Sequence, residues 1–407
     1  MSTTIDDPGL VEERPGLAGI WDGWRRRLAQ GEIGQLPVII GLIAIGTIFT
    51  ILSNGTFLKP SNLTNLFLQI AAVGTIAAGI VLVLLLGEID LSAGALSGLA
   101  AGVVAVLNVN MGIPSLVAIS LGILTGTAVG AIQGSWTFSF RIPSFVVTLA
   151  GMLAWTGALL FILGKTGAIN IKDPLILGLA GTFYSGAIGW ILGLVFVAGF
   201  AVYVFWGRRQ RAAAGLLVGS ALTTYLRIAV IVVLVLAAIA ILNQDRGIPA
   251  SLLIMIGLIV VLDLVLRRTR FGRYVMAIGG GAEAARRAGI NITNVRIAIF
   301  ALCSSIAAFG GILGLSRANA VYQATGGGDL LLNAIAAAVI GGTSLFGGRG
   351  TVWAALLGAL VIGSIANGMA LLSLEPSVQY MITGAVLLAA VTIDAIARRG
   401  RQASGRA

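Results

Sequence analysis

The 407-residue chain contains no histidine and a single cysteine, Cys303, which sits inside an apolar run. Without histidine, Ser-His-Asp and Cys-His catalysis, histidine metal ligation and the usual proton shuttle near neutral pH are excluded. With one thiol, no intramolecular disulfide can form. Charge is scarce as well. Asp, Glu, Lys and Arg make up 10% of the residues, against about 25% in soluble globular domains. So few charges cannot coat a water-facing surface.

Apolar residues fill the place of the missing charge, at 58% of the chain and a mean hydropathy of +1.02. The chain therefore reads as an integral membrane protein. A hydrocarbon layer about 30 Å thick takes roughly 20 apolar residues per helix. Apolar windows place spans at about 35–52, 66–86, 89–109, 115–136, 144–163 and 186–206, then at 223–242, 249–266, 297–315, 330–346, 351–374 and 379–397. The expected fold is an all-α, polytopic transmembrane bundle of about twelve spans. A tail over 1–34 precedes one membrane domain over 35–397, and a basic tail over 398–407 follows it. The arginines at 14 and 25–27 lie in polar sequence before the first apolar run, so that run reads as an uncleaved first span.

The formal charge of +11 would suggest nucleic acid in a soluble protein, but its placement points elsewhere. With the first tail in the cytoplasm, 21 of the 26 Lys and Arg residues fall on the inner side and five (Lys59, Lys165, Lys172, Arg246, Arg317) on the outer. That asymmetry obeys the positive-inside rule for an even number of spans with both termini inside. It leaves no reason to expect a nucleic-acid partner. Two nucleotide motifs are imitated and fail. Gly164-Lys165-Thr166 lacks the first glycine of a phosphate-binding loop, which would fall at Leu159. Gly279-Gly280-Gly281 opens a G-x-G-x-x-A pattern after a short strand-like segment over 274–278, but the chain re-enters the membrane where the acidic ribose ligand should be. No cofactor is expected on this chain and no metal.

Glycine recurs every fourth residue in two spans, as Gly94, Gly98 and Gly102 and as Gly122, Gly126, Gly130 and Gly134. Such flat faces let helix backbones approach closely where lipid supplies no hydrophobic drive. They mark packing, static or sliding. Ionisable residues within or beside spans are Glu88, Asp90, Asp263, Asp394 and Arg227. Asp263 and Arg267 suit an i, i+4 pair at a helix end, whereas Glu88 and Asp90 suit a break between two helices and bonds to backbone N–H groups. Gln69, Ser92, Asn333 and Asn367 are polar residues inside spans. With Glu88 and Asp90 they are the candidates for a translocation path, each with the alternative of a buried helix-to-helix bond.

The longest internal hydrophilic stretch covers 267–296 and belongs in the cytoplasm. Its segment 283–288 predicts a short helix started by the preceding glycines and ended by Gly289. Such a helix on the membrane surface can be gripped by a soluble partner; on residues alone it can equally be an ordinary charged loop. Here Glu283-Ala284-Ala285-x-x-x-Gly289 resembles the EAA loop of bacterial ABC importer permeases, although the Leu-Pro after the position of Ile299 is missing. Three more segments, Gly87-Glu88-Ile89-Asp90-Leu91-Ser92-Ala93-Gly94, Ile142-Pro143-Ser144 through Met152, and Val339 through Gly348, resemble signatures of the monosaccharide branch. Within it, the stretch over 174–248, absent from ribose-type members, and Asn367-Gly368-Met369 resemble xylose permeases.

That resemblance implies a permease subunit, not an enzyme, with a ten-span core and a two-span insertion over 174–248. It implies residence in the bacterial inner membrane as a homodimer, and D-xylose or a related sugar as cargo. Gly279, Gly281, Glu283, Ala284, Ala285, Arg286 and Gly289 would form the coupling site. A separate ATPase subunit holding ATP-Mg and an extracytoplasmic sugar-binding protein would be its partners. The rival class is an ion-coupled secondary transporter using Asp90 or Glu88, which expects carboxylates on broken helices at midplane.

Overall fold

The structure is a computed structural model that describes residues 35–215 and 221–403. The tail over 1–34, the last residues of the basic tail, and the side chains of Arg227 and Asp394 lie outside the described residues. In chain order the helices are α1 (Leu36–Leu52), α2 (Pro60–Leu85), α3 (Ala93–Ala105, continued by a π turn over Val106–Asn110), α4 (Ser115–Phe140) and α5 (Ser144–Leu163). Strand β1 (Ala168–Asn170), helix α6 (Pro174–Gly181), strand β2 (Phe183–Tyr184), helices α7 (Gly186–Ala213) and α8 (Ala221–Leu242), and strand β3 (Ile248–Pro249) follow. The chain continues with α9 (Ala250–Arg268), α10 (Arg270–Gly280), α11 (Ala282–Arg287), α12 (Ile292–Ala318), β4 (Ala320–Tyr322), α13 (Asp329–Ile340), α14 (Trp353–Leu371) and α15 (Pro376–Ala403).

Nine helices among the described residues are long and apolar enough to cross a membrane: α2, α3 with its π turn, α4, α5, α7, α8, α9, α12 and α14. Shorter apolar helices occupy the remaining three expected spans, at α1, α13 and the first part of α15. Two expectations need correction. The segment over 330–346 is not one span, because α13 ends at Ile340 and the glycines Gly341 and Gly342 turn the chain into a loop that runs to Val352. Residues 274–278 are not strand-like. They belong to α10, where Gly272, Val275 and Ile278 bury one face while Arg273, Tyr274 and Ala277 stay exposed, a helical spacing that alternation could not satisfy. The all-α expectation holds apart from two short antiparallel ribbons, β1 with β4 and β2 with β3.

At the centre stands α2. In its most apolar window 78% of the residues are buried, against 11% and 12% for α7 and α8. Hydropathy does not set α2 apart, since α8 is more apolar; small residues do, as Gly74 of α2 meets Met255 and Ala359 and Gly79 meets Cys303. Its Ile76, Leu82, Leu84 and Leu85 pack with Met255 and Ile259 of α9, Ile299 and Phe300 of α12, and Ala337 and Ala355 of α13 and α14. The second glycine stripe lies flat on α12. A Cβ on Gly126 would meet Ala308 Cβ at 2.6 Å, one on Gly130 the Phe300 carbonyl at 2.5 Å, and one on Gly134 Ile297 Cα at 3.1 Å, while Gly122 faces Val104 of α3. Of the first stripe, Gly94 and Gly98 meet the loop before α13 at Gly326 and Thr325, and Gly102 meets Leu159 of α5.

Candidate functional site

The four sequence motifs, up to two hundred and sixty residues apart, meet at one end of the bundle. After α2 the chain turns at Gly87, whose φ of +74° suits glycine, and the turn lies under the loop from α13: a Cβ on Gly87 would stand 3.2 Å from the Phe346 carbonyl. Gly348 N–H donates to the Leu85 carbonyl at 2.9 Å. Gly279, in the last turn of α10, presses on that same carbonyl and on Gly348 N, with no room for a side chain. On the far side of the turn, Ile89 N–H donates to Ser144 Oγ at 3.4 Å, and Thr148 Oγ1, which donates to the Ser144 carbonyl at 2.9 Å, lies 3.4 Å from the Ile89 carbonyl. Glu88 Oε1 lies 3.3 Å from Arg296 Nη2 at the start of α12. The Arg296 guanidinium also sits 5.1 Å above the Phe138 ring, which meets Phe300 edge-on at 5.7 Å.

Helix α11 begins three residues beyond Gly279. Gly281 caps its start and Gly289, at φ +81°, its end. Ile290 N–H donates to the Ala285 carbonyl and Gly289 N–H to the Arg286 carbonyl, the paired bonds of a Schellman stop. Ala285 is buried, whereas Glu283, Ala284, Arg286 and Arg287 are exposed. Glu283 pairs internally with Arg286 at 3.1 Å and Arg287 at 4.0 Å. At such exposure these pairs add little stability. They present a compact surface of both signs, seated by one methyl group.

Asp90 occupies the core of the same junction, 2% exposed. Its Oδ1 accepts from Ser92 N at 2.8 Å and from Ser92 Oγ at 2.6 Å, and Cys303 Sγ lies 3.9 Å from Oδ2. No cation pairs with Asp90 among the described residues. Ser92 Oγ also stands 3.0 Å from Gln133 Oε1, while Gln133 Nε2 and Trp155 Nε1 are buried without acceptors, both beside Gly151. A hydroxyl has one proton and cannot donate twice. Turning the Gln133 carboxamide over, which changes no heavy-atom position, lets Nε2 donate to Ser92. One chain of bonds then ties α4 to the α2–α3 turn.

Of the remaining path candidates, Asn367 is buried and accepts from Asn62 Nδ2 at 2.8 Å, a bond between α14 and α2. Gln69 and Asn333 are half-buried and their side chains have no hydrogen-bond partner among the described residues. Asp263 forms the expected helix pair, with Arg267 Nε at 2.8 Å. Among the described residues no group of His, Cys, Asp or Glu could hold a metal ion. Sequence patterns had not singled out Gln133, Trp155 or Arg296. Gln133 carried one usable signal, a carboxamide inside a predicted span.

Residues 62–391 match the family described as the branched-chain amino acid transport system permease component. The chain belongs to this family of ABC transporter permeases, and within it to the sugar permeases; it is a multi-pass inner-membrane protein and not an enzyme. It is 37% identical over 362 residues to the xylose transport system permease of Escherichia coli K12, an alignment covering 89% of this chain and 92% of that one. The xylose permease of Haemophilus influenzae is 38% identical over 363 residues (88% and 96%), and the ribose import permease of Bacillus subtilis 33% over 364 (89% and 94%). No solved structure matches the chain.

Proposed function

We propose that the chain is the permease of a binding-protein-dependent D-xylose importer and that two copies form the pathway. A sugar-loaded extracytoplasmic protein delivers the cargo at one end. A separate ATPase subunit, which alone holds ATP-Mg, grips α11 at the other. The observation that carries this reading is the seat of α11. Its exposed side chains are open to a partner, and Gly279, three residues before it, is packed without clearance on the α2 terminus and the α13–α14 loop. A displacement of α11 therefore moves the end of the most buried helix. Gln69 and Asn333, half-buried with unused amide groups, are the candidates to meet sugar hydroxyls, whereas the Ser92 hydroxyl and the Asn367 side-chain carbonyl are taken up inside the bundle.

The extra hairpin α7–α8 and the 37% identity to a xylose permease support xylose over ribose as cargo. In proteoliposomes holding the chain, its ATPase and its binding protein, labelled xylose uptake should exceed ribose uptake at equal concentration. Equal or reversed uptake would remove xylose from the reading without touching the coupling site.

A further inference from the structure

The hairpin α7–α8 carries a second surface that transport does not explain. Its helices stand out from the bundle, and a belt of aromatic side chains crosses them near one end: Phe205, Trp206 and Tyr225 are exposed, with Phe205 and Tyr225 ring centroids 5.8 Å apart. Arginines begin immediately beyond the belt. Arg209 and Arg211 are exposed at the end of α7. From the neighbouring α9, Arg268 reaches over the Tyr203 and Trp206 rings at 5.4 and 5.9 Å and donates to Gln210 Oε1 at 3.3 Å. Helix α10 then adds exposed Arg270 and Arg273.

Carboxylates are missing here. Over 186–282 the acidic residues are Asp245, at the other end of α8, and Asp263, already taken by Arg267 at 2.8 Å. None of Arg209, Arg211, Arg268, Arg270 and Arg273 forms an ion pair among the described residues. Aromatic rings at the polar boundary of a bilayer beside unneutralised guanidinium groups match the chemistry of a phospholipid headgroup whose net charge is negative. Exposed apolar side chains along α7 and α8, Val195, Val202 and Val233 among them, supply the surface for its acyl chains.

We propose that this surface holds an anionic diacyl phospholipid, its phosphate between Arg209, Arg211 and Arg268 and its chains along α7 and α8. An acidic patch on a soluble protein would need the arginines but not the aromatic belt, which disfavours it. The test uses the full-length chain purified alone in detergent and exposed to phosphatidylglycerol or phosphatidylcholine, with bound lipid counted by native mass spectrometry. Retention of phosphatidylglycerol should fall about tenfold in R209Q/R211Q, while phosphatidylcholine retention and the melting temperature stay unchanged. Equal retention of phosphatidylglycerol by wild type and variant overturns the proposal. So does a variant that keeps the lipid but, in a separate pull-down with the ATPase added, no longer retains it, which would assign the arginines to a protein.

Discussion

At the scale of single residues, Glu88 and Arg296 make the clearest functional pair, because they tie the turn after α2 to the helix that follows α11. Arg296 Nε is already buried without an acceptor, so removing Glu88 leaves the guanidinium short of a second partner. Glu88→Gln should lower stability by about 2 kcal/mol and uncouple uptake from ATP hydrolysis. Glu88→Arg combined with Arg296→Glu should restore part of both, read by thermal unfolding in detergent and by sugar moved per ATP. Asp173 yields a pH prediction. It caps α6, and the Ser115 hydroxyl foremost, with the Ile176 and Leu175 amides and Asn108, holds its carboxyl below the ordinary 3.8 despite slight burial. A lowered value stabilises the fold at pH above the ordinary carboxylate range and loses that contribution only as pH falls through the depressed value. Amide protection factors over 174–181 should therefore hold through the ordinary carboxylate range and fall only below it, and Asp173→Ala should lower them at neutral pH.

Legibility at this scale was uneven, for physical reasons. Asp90 could be read as a binder of backbone N–H groups because a carboxylate beside a glycine break has few other uses. Its link through Ser92 to Gln133 depends on α4 meeting the turn after α2, which no local pattern encodes. Asn367 shows the same limit: a polar residue in a span reads alike whether it meets cargo or, as here, Asn62.

At the scale of elements, α11 and the glycine stripe of α4 make opposite demands. The stripe needs close contact with α12, so Gly130→Leu should cost about 1–3 kcal/mol through overpacking, whereas Gly199→Ala, where nothing lies within 4 Å, should be neutral in the same melt. For α11, Glu283→Arg with Ala284→Trp alters only exposed positions. The variant should melt like wild type but lose the ATPase in pull-down. Helix termini were readable where capping chemistry is local, as at Gly289. The early end of α13 was not, because Gly341 and Gly342 continue a run whose apolar composition still suits a span.

At the scale of the whole molecule, twelve apolar segments were legible from hydropathy, and each contains a helix, nine of them of membrane length among the described residues. What hydropathy could not give is the convergence of Gly87, Ser144, Gly279 and Gly348 on one junction, since contacts between motifs arise only from three-dimensional packing. That junction makes the central claim testable. The most direct measurement is xylose uptake into proteoliposomes containing the chain, its ATPase and its binding protein, with and without ATP, an ionophore, and the Glu283→Arg/Ala284→Trp substitution. The predicted result is uptake that requires ATP, survives the ionophore and is lost in the variant. Uptake that collapses with the ionophore while ATP is maintained, or that is undiminished in the variant, would contradict coupling through α11.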